Sequence, residues 1–381
     1  MLRIVHPPGA RLRASALWAS LFGLFALAAM VSRVWSPLHH PELWAGMFSG
    51  PGDFPPKSVV EAVLHGQSVG AAYVATGQPY PLPYLIAFVP VELLRDPWLR
   101  PAATILSVGL LVLSMWLVGA LRRNPAIWPV LVSPPVFFDL LSPHLTTEVG
   151  LTGLCLAAWA QPRRRWILLG VGMGIGLIRP PNALPLLAVL VYTSWGEWRG
   201  LIKAAAATFG LVLPLTAIAF WLDPNWVATY EMNVAHAVYA GLPLIAIYTA
   251  GPAGLFLIQA AAVLVALLLA RSSRGKPLDP DLGAFVIALG VLPSKLSGVY
   301  SGLYALPAVA RLGLRPLLWW TPWVVSAAAW VFELSLFPGT QASFVGPSWE
   351  SILAYWFVFA AWPLAVAYPR TATLKIGQAR T

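Results

Sequence analysis

The chain has 381 residues, 59% of them hydrophobic and only 10% charged. A soluble domain carries about 25% charged residues, so this composition excludes a string of soluble domains and implies that the solvent is mostly lipid. The net charge of +10 comes from basic residues set in twos and threes between apolar runs. That is the pattern of membrane topology signals and not of a nucleic-acid-binding patch.

A basic flank (Arg3, Arg11, Arg13) precedes the first apolar run at 14–34. Because many runs follow, it reads as a retained signal-anchor and not as a cleaved signal peptide. Next comes the longest polar-flanked segment, 36–100. Within it "SGPGDFPPK" (49–57) sets Asp53 among prolines and glycines. Proline fixes φ and removes a backbone donor, so this carboxylate is expected on a stiff, non-helical stretch. The following "SVVEAVLHGQ" (58–67) puts Val59, Val60, Val63 and Leu64 on one helical face, with Lys57, Glu61 and His65 opposite. Ser58 and Glu61 fit a capping box, and the helix suits a membrane surface. Residues 82–94 are apolar but short and broken by proline, which predicts a helix on or dipping into the outer leaflet.

Further apolar runs lie at 101–120, 125–141, 145–160, 166–178, 182–194, 204–222, 244–270, 282–293, 302–311, 316–337 and 351–369. With the N-terminus inside and sides alternating, the inner connections hold Arg122/Arg123, Arg163–Arg165, Arg199/Lys203, Arg271/Arg274/Lys276, Arg311/Arg315 and Arg370/Lys375/Arg379. Together with the N-terminal flank these are 18 of the 24 basic residues. Only Glu197, Asp279 and Asp281 among the 14 acids fall with them. The positive-inside rule therefore predicts an all-α polytopic membrane protein. It is a single domain over 1–381 with about 12 transmembrane helices, a large first external loop and both termini cytoplasmic. Tryptophans flanking the runs (Trp35, Trp98, Trp166, Trp195, Trp221, Trp319, Trp320) fit interfacial anchors. The one cysteine, Cys155, sits inside a run, which leaves no disulfide framework or Cys-based metal site.

Several polar residues fall on the predicted outer side. Arg179 and Lys295 stand at outer ends of runs beside prolines or serines. An ionisable group at membrane depth faces a cavity or snorkels to the interface, and both readings are open here. Arg95 and Arg100 flank Asp96, as a local pair would. In "LSPHLTTEVGL" (141–151), His144 and Glu148 lie one turn apart at a helix start, as part of an acceptor site or as a mutually bonded cap. Too few further ligands accompany them for a metal. Glu231 and His236 lie among the aromatics of 223–243, an arrangement for sugar stacking or for an interfacial loop. Asp279-Pro280-Asp281 spells D-x-D in a predicted cytoplasmic loop, where it reads as a turn and N-cap.

The order of these features resembles the polytopic GT-C glycosyltransferases, most closely the family 87 polyprenyl-phosphate-mannose-dependent mannosyltransferases. One span leads to an external Asp and an amphipathic helix. Then come Gly77-Gln78-Pro79-Tyr80 and Pro81-Leu82-Pro83-Tyr84, similar to the family's G-x-P-Y and Y-P-P segment with tyrosine and prolines permuted. "RRRWILLGVGMGIGLIRPPNALPLLAVLV" (163–191) resembles its R-x4-G-x3-G-x5-K-x-x-P stretch, with Arg179, one residue nearer the second glycine, where a Lys is usual. "LPSKLSGVYSGLYALPAV" (292–309) resembles a third segment, but Ser297-Gly298-Val299-Tyr300 replaces its Trp-Asp-His part. The resemblance spans about 35–310.

It implies transfer of mannose or another sugar from a polyprenyl phosphate to a glycolipid or glycan hydroxyl at the external face of the plasma membrane, most simply a bacterial one. Asp53 would be the general base. Lys295, Arg179 and Lys57 would hold the donor phosphate. His144, Glu148, Tyr80, Glu231, His236 and Tyr300 would line the acceptor or sugar site. Neither cofactor nor metal is implied, and the partners are lipids and sugars with no nucleic acid. A secondary transporter or lipid flippase is the rival reading, but no pair of halves repeats and the acids lie mostly at outer ends.

Overall fold

The computed structural model describes residues 57–76, 80–92, 99–123, 136, 145–235, 250–292 and 303–312. The runs at 14–34, 316–337 and 351–369 and nearly all of 125–141 lie outside the described residues. Among those described, the regular structure is helical, with no strand.

The helices in chain order are α1 (Lys57–His65), α2 (Val69–Thr76), α3 (Leu82–Ile86), α4 (Val89–Glu92), α5 (Leu99–Leu117), α6 (Ala120–Arg123) and α7 (Leu145–Ala160). They continue with α8 (Trp166–Gly176), α9 (Pro180–Thr193), α10 (Trp198–Leu222), α11 (Trp226–Ala235), α12 (Pro252–Leu269), α13 (Pro280–Leu289) and α14 (Leu306–Leu312). α10, with 25 residues, is the one described helix long and apolar enough to cross a membrane. α8, α9, α12 and α13 are apolar but shorter. The outward sides of α10 and α12 are apolar too: Ile202 is 67% exposed, Trp221 82% and Phe256 71%.

The core is a layered set of helices with α8 between α7 and α10. The run Gly170–Gly176 makes this possible by alternating glycines to the two sides. A Cβ on Gly170 would lie 2.0 Å from the Ala204 carbonyl oxygen of α10, and one on Gly172 would lie 2.6 Å from the Ala157 nitrogen of α7. No side chain fits at either distance, so the backbones touch. Thr208 closes the α8–α10 seam by donating to the Gly170 carbonyl at 2.8 Å. α13 is buried along its length, Asp281 to Leu289.

The helix ends gather at two poles. At one, Gln161 donates to Ser194 (3.3 Å) and accepts from the Leu278 amide (2.6 Å). Arg164 pairs with Glu197 at 2.8 Å, and the Tyr192 hydroxyl donates to the Arg271 carbonyl. Arg311 reaches both Asp281 and the Val118 carbonyl. The described arginine-bearing connections are thus assembled at one end, where Asp279 accepts from the Asp281 amide at 2.7 Å and caps α13. The D-x-D is a helix cap, and its second carboxylate is taken by Arg311.

The opposite pole is covered by α1–α4 and α11. Here two expectations need revision. The apolar side of the 57–65 helix does not lie free for a membrane surface: Val59 and Ala62 are buried, with Val63 beside them, against Tyr73, Leu82, Leu85, Ala219 and Trp226. Leu64, the next position around, stays 46% exposed. The described part of the 82–94 stretch, 82–92, does not dip away from the protein either. Tyr80, Leu82, Tyr84, Leu85 and Phe88 are buried, and the Tyr84 hydroxyl donates to the Gly174 carbonyl at 2.8 Å.

Candidate functional site

The covered pole brings together two segments that the sequence keeps far apart. α8 ends at Gly176, and Pro180 opens α9. A residue before proline is pushed out of the helical region, and Arg179 accordingly takes φ −125°, ψ 80° between the two helices. Its side chain is drawn inward, with only 7% of the residue exposed. The guanidinium donates to the Tyr80 hydroxyl, and its carbon lies 5.1 Å from the centre of that ring.

Tyr80 is itself held. Its carbonyl accepts from the Tyr73 hydroxyl, and Tyr73 is fully buried in α2. Burial, then Tyr230 and Asp223 nearby, push the Tyr73 phenol well above its usual range, so it remains a donor at every working pH. Asn233 of α11 donates to the Tyr73 carbonyl at 3.4 Å. Asn182, three residues past Arg179, donates to the Gly290 carbonyl at the end of α13 at 3.2 Å. The result is a guanidinium fixed on Tyr80 at the turn between α8 and α9, with Tyr80 in turn held from α2. A cation in that position suits a phosphate, because charge-assisted guanidinium–phosphate bonds are short and directional.

Glu148 is the second predicted residue that the fold uses. It lies in the first turn of α7 with no exposed surface, and Ser107 of α5 donates to its Oε2 at 2.7 Å. Ser114 and Thr152 continue the polar seam one and two turns on, 2.9 Å apart. Leu145 packs with Ile178, so this helix start adjoins the Arg179 turn. Glu231, by contrast, is exposed on α11. Lys57 opens α1, with its side chain outside the description. Asp53, His144, His236, Lys295 and Tyr300 lie outside the described residues.

Sequence reasoning passed over Tyr73, Ser107 and Asp223. Asp223 closes α10 and is only 8% exposed. Its Oδ1 accepts from the Asn225 amide at 3.0 Å, while its carboxylate lies on the backbone of Gly70, where a Cβ would be 3.0 Å from Oδ2. Gly70 is the second residue of α2, so the carboxylate meets the positive end of a helix dipole. The signal was present as Asp-Pro-Asn at the end of a long apolar run and Gly-Ala-Ala at 70–72. Neither half names the other.

Among the described residues no three His, Cys, Asp or Glu side chains group as a metal site. Compared with family models, curated proteins and solved structures, the chain matches none.

Proposed function

We propose that the protein is a multi-pass membrane glycosyltransferase with a bundle of about 12 transmembrane helices in the plasma membrane. It would move a sugar from a polyprenyl phosphate to a hydroxyl of a glycolipid or glycan on the external face. The observation that carries the reading is the union of Tyr80 and Arg179. These are the G-x-P-Y tyrosine and the basic residue that follows the Gly170-x3-Gly174 stretch, both of them site residues in the glycosyltransferase resemblance. The apolar outward faces of α10 and α12 support the membrane half, since such surface is tolerated only against lipid or a partner.

In the reaction the acceptor oxygen attacks the anomeric carbon and the bond from that carbon to the phosphate oxygen breaks. The acceptor proton passes to Asp53, and the polyprenyl phosphate leaves with its added charge offset by Arg179. Lys295 and Lys57 would share the phosphate. His144, Glu148, Tyr80, Glu231, His236 and Tyr300 would meet the sugars.

The test is a transfer assay in membranes carrying wild type, Asp53→Asn or Arg179→Gln, fed a panel of labelled polyprenyl-phosphate sugars. Label should move to a new glycan or lipid with wild type, and fall by orders of magnitude with Asp53→Asn. Full turnover in Asp53→Asn removes the base; no transfer of any sugar by wild type turns the reading toward transport.

A further inference from the structure

We propose that the basic pole holds a binding site for an anionic phospholipid, with the headgroup phosphate on Arg163 and Arg165 over Trp159 and an acyl chain along α5. The inference rests on the membrane half of the reading above and not on sugar transfer. α7 runs out into a 3-10 turn, Gln161–Arg163, after which Arg164 takes a left-handed φ of 53°. Its amide bonds the Gln161 carbonyl at 3.0 Å, and the Arg165 amide returns to Ala160 at 3.1 Å. Helices usually make this stop with glycine, because a side chain there is strained. It is the one non-glycine residue at positive φ among the described residues.

The reversal splays three consecutive arginines. Arg164 turns to Glu197 and is neutralised at 2.8 Å. Arg163 and Arg165 instead converge on one indole: their guanidinium carbons lie 4.6 and 5.6 Å from the Trp159 ring centre. Arg163 also donates to the Trp159 carbonyl at 2.8 Å. Both side chains are exposed, and neither meets a carboxylate among the described residues. Two guanidinium groups are therefore held on one aromatic ring, with no carboxylate among the described residues to compensate them. Weak hydration and a planar fork fit such groups to a phosphodiester.

The surroundings separate a lipid from a free phosphate. Trp116 of α5 stands 6.2 Å from Trp159, centre to centre, and is 41% exposed. From it an apolar stripe leads up α5 through Leu113 (42% exposed) to Ile105 (63%), past Gly109, where no atom lies within 4 Å of a Cβ position. Headgroup cations, interfacial tryptophans and an apolar track follow each other in the order of a lipid's own parts.

The full-length protein in nanodiscs of mixed phosphatidylglycerol and phosphatidylcholine tests this, with retained lipids counted by native mass spectrometry. Wild type should retain phosphatidylglycerol in preference, and the preference should weaken as salt is raised. In R163Q/R165Q it should fall by roughly tenfold or more, as expected for two surface guanidinium charges. R164Q, whose charge is already paired, should keep it. Equal retention by wild type and R163Q/R165Q overturns the site, as does an equal loss in R164Q, which would mark a diffuse field. Displacement of the lipid by inorganic phosphate at matched concentration overturns the lipid in favour of a soluble anion. A chain that never enters the bilayer overturns the membrane reading with it, whereas a bilayer-embedded chain without the preference overturns this site alone.

Discussion

The carboxylate of Asp223 rests on the backbone of Gly70, and this contact pins the covering helices to the end of the longest described helix. A Cβ at position 70 would lie 3.0 Å from Oδ2 and 3.1 Å from Cγ, against a side chain held by the Asn225 amide. Gly70→Ala should therefore cost about 1–3 kcal/mol, the usual penalty for overpacking a buried contact. Hydrogen exchange over 57–76 and thermal unfolding measure it. In a Gly70→Ala/Asp223→Ala double variant the two losses should fall short of their sum, because the second substitution relieves the first. Strict additivity would mean that the two sites do not touch.

Arg179 and Tyr80 separate charge from geometry at the candidate site. Tyr80→Phe keeps the ring beside the guanidinium but removes the hydroxyl that accepts from it. Its expected effect is a modest drop in transfer, about fivefold, with the donor still bound, since one buried hydrogen bond contributes about 1 kcal/mol. Arg179→Gln removes the positive charge and should slow transfer by roughly a hundredfold to a thousandfold, the range for losing one electrostatic donor. Kinetics over a donor concentration series distinguish them. A larger effect from Tyr80→Phe than from Arg179→Gln would mean that the tyrosine hydroxyl, and not the guanidinium charge, dominates the site.

The α7–α8–α10 layers predict a sharp contrast among glycine substitutions. Gly170→Leu and Gly172→Leu push side chains into the backbone of Ala204 and Ala157, and neither should yield monodisperse protein. Gly109→Ala and Gly210→Ala, in helices with nothing within 4 Å of the added carbon, should be neutral or slightly stabilising. Size-exclusion profiles of the four variants decide the matter.

At the basic pole, Asp281 and Arg311 form an ion pair with side chains only 10% and 11% exposed. Asp281→Asn leaves Arg311 without its charge partner and should cost about 3–5 kcal/mol in thermal unfolding. Replacing both, as Asp281→Leu/Arg311→Met, should recover most of that loss. Asp279→Asn should cost little, because asparagine caps a helix start as well as aspartate. Were the D-x-D a metal site instead, Asp279→Asn and Asp281→Asn would act alike and added divalent metal would raise the wild-type Tm.

Much of the helical layout was readable because charge and proline mark its breaks. The run at 145–160 coincides with α7, and the basic groups among the described residues fall at connections that the fold gathers at one end. Boundaries drawn by apolarity alone missed elsewhere. α10 begins at Trp198 and not at 204, because Arg199 and Lys203 are good helix formers and Gly196, at φ 95°, makes the break before them. The run predicted from 244 is broken at Gly251, φ 59°, and α12 begins after it at Pro252. The amphipathic 57–65 helix was legible as a helix, but periodicity does not say whether its apolar side meets lipid or protein. Arg179 stood out as a costly cation at a helix break. Its partner at Tyr80 and the Asp223–Gly70 contact are long-range pairings between segments, which no local pattern encodes.

The glycine contacts of α8 also decide which parts of the molecule are able to move. Where two helices meet through side chains, rotamer changes let one slide on the other by an ångström or more. Where backbone meets backbone, that layer of adjustment is missing, and α7, α8 and α10 travel together as a stiff plate. In the proposed transferase any opening and closing would then fall to the small helices α1–α4 and α11, which grip the plate through tyrosines, one arginine and one aspartate. The protein would work as a hinged cover on a fixed wall, with its slow steps set by the cover.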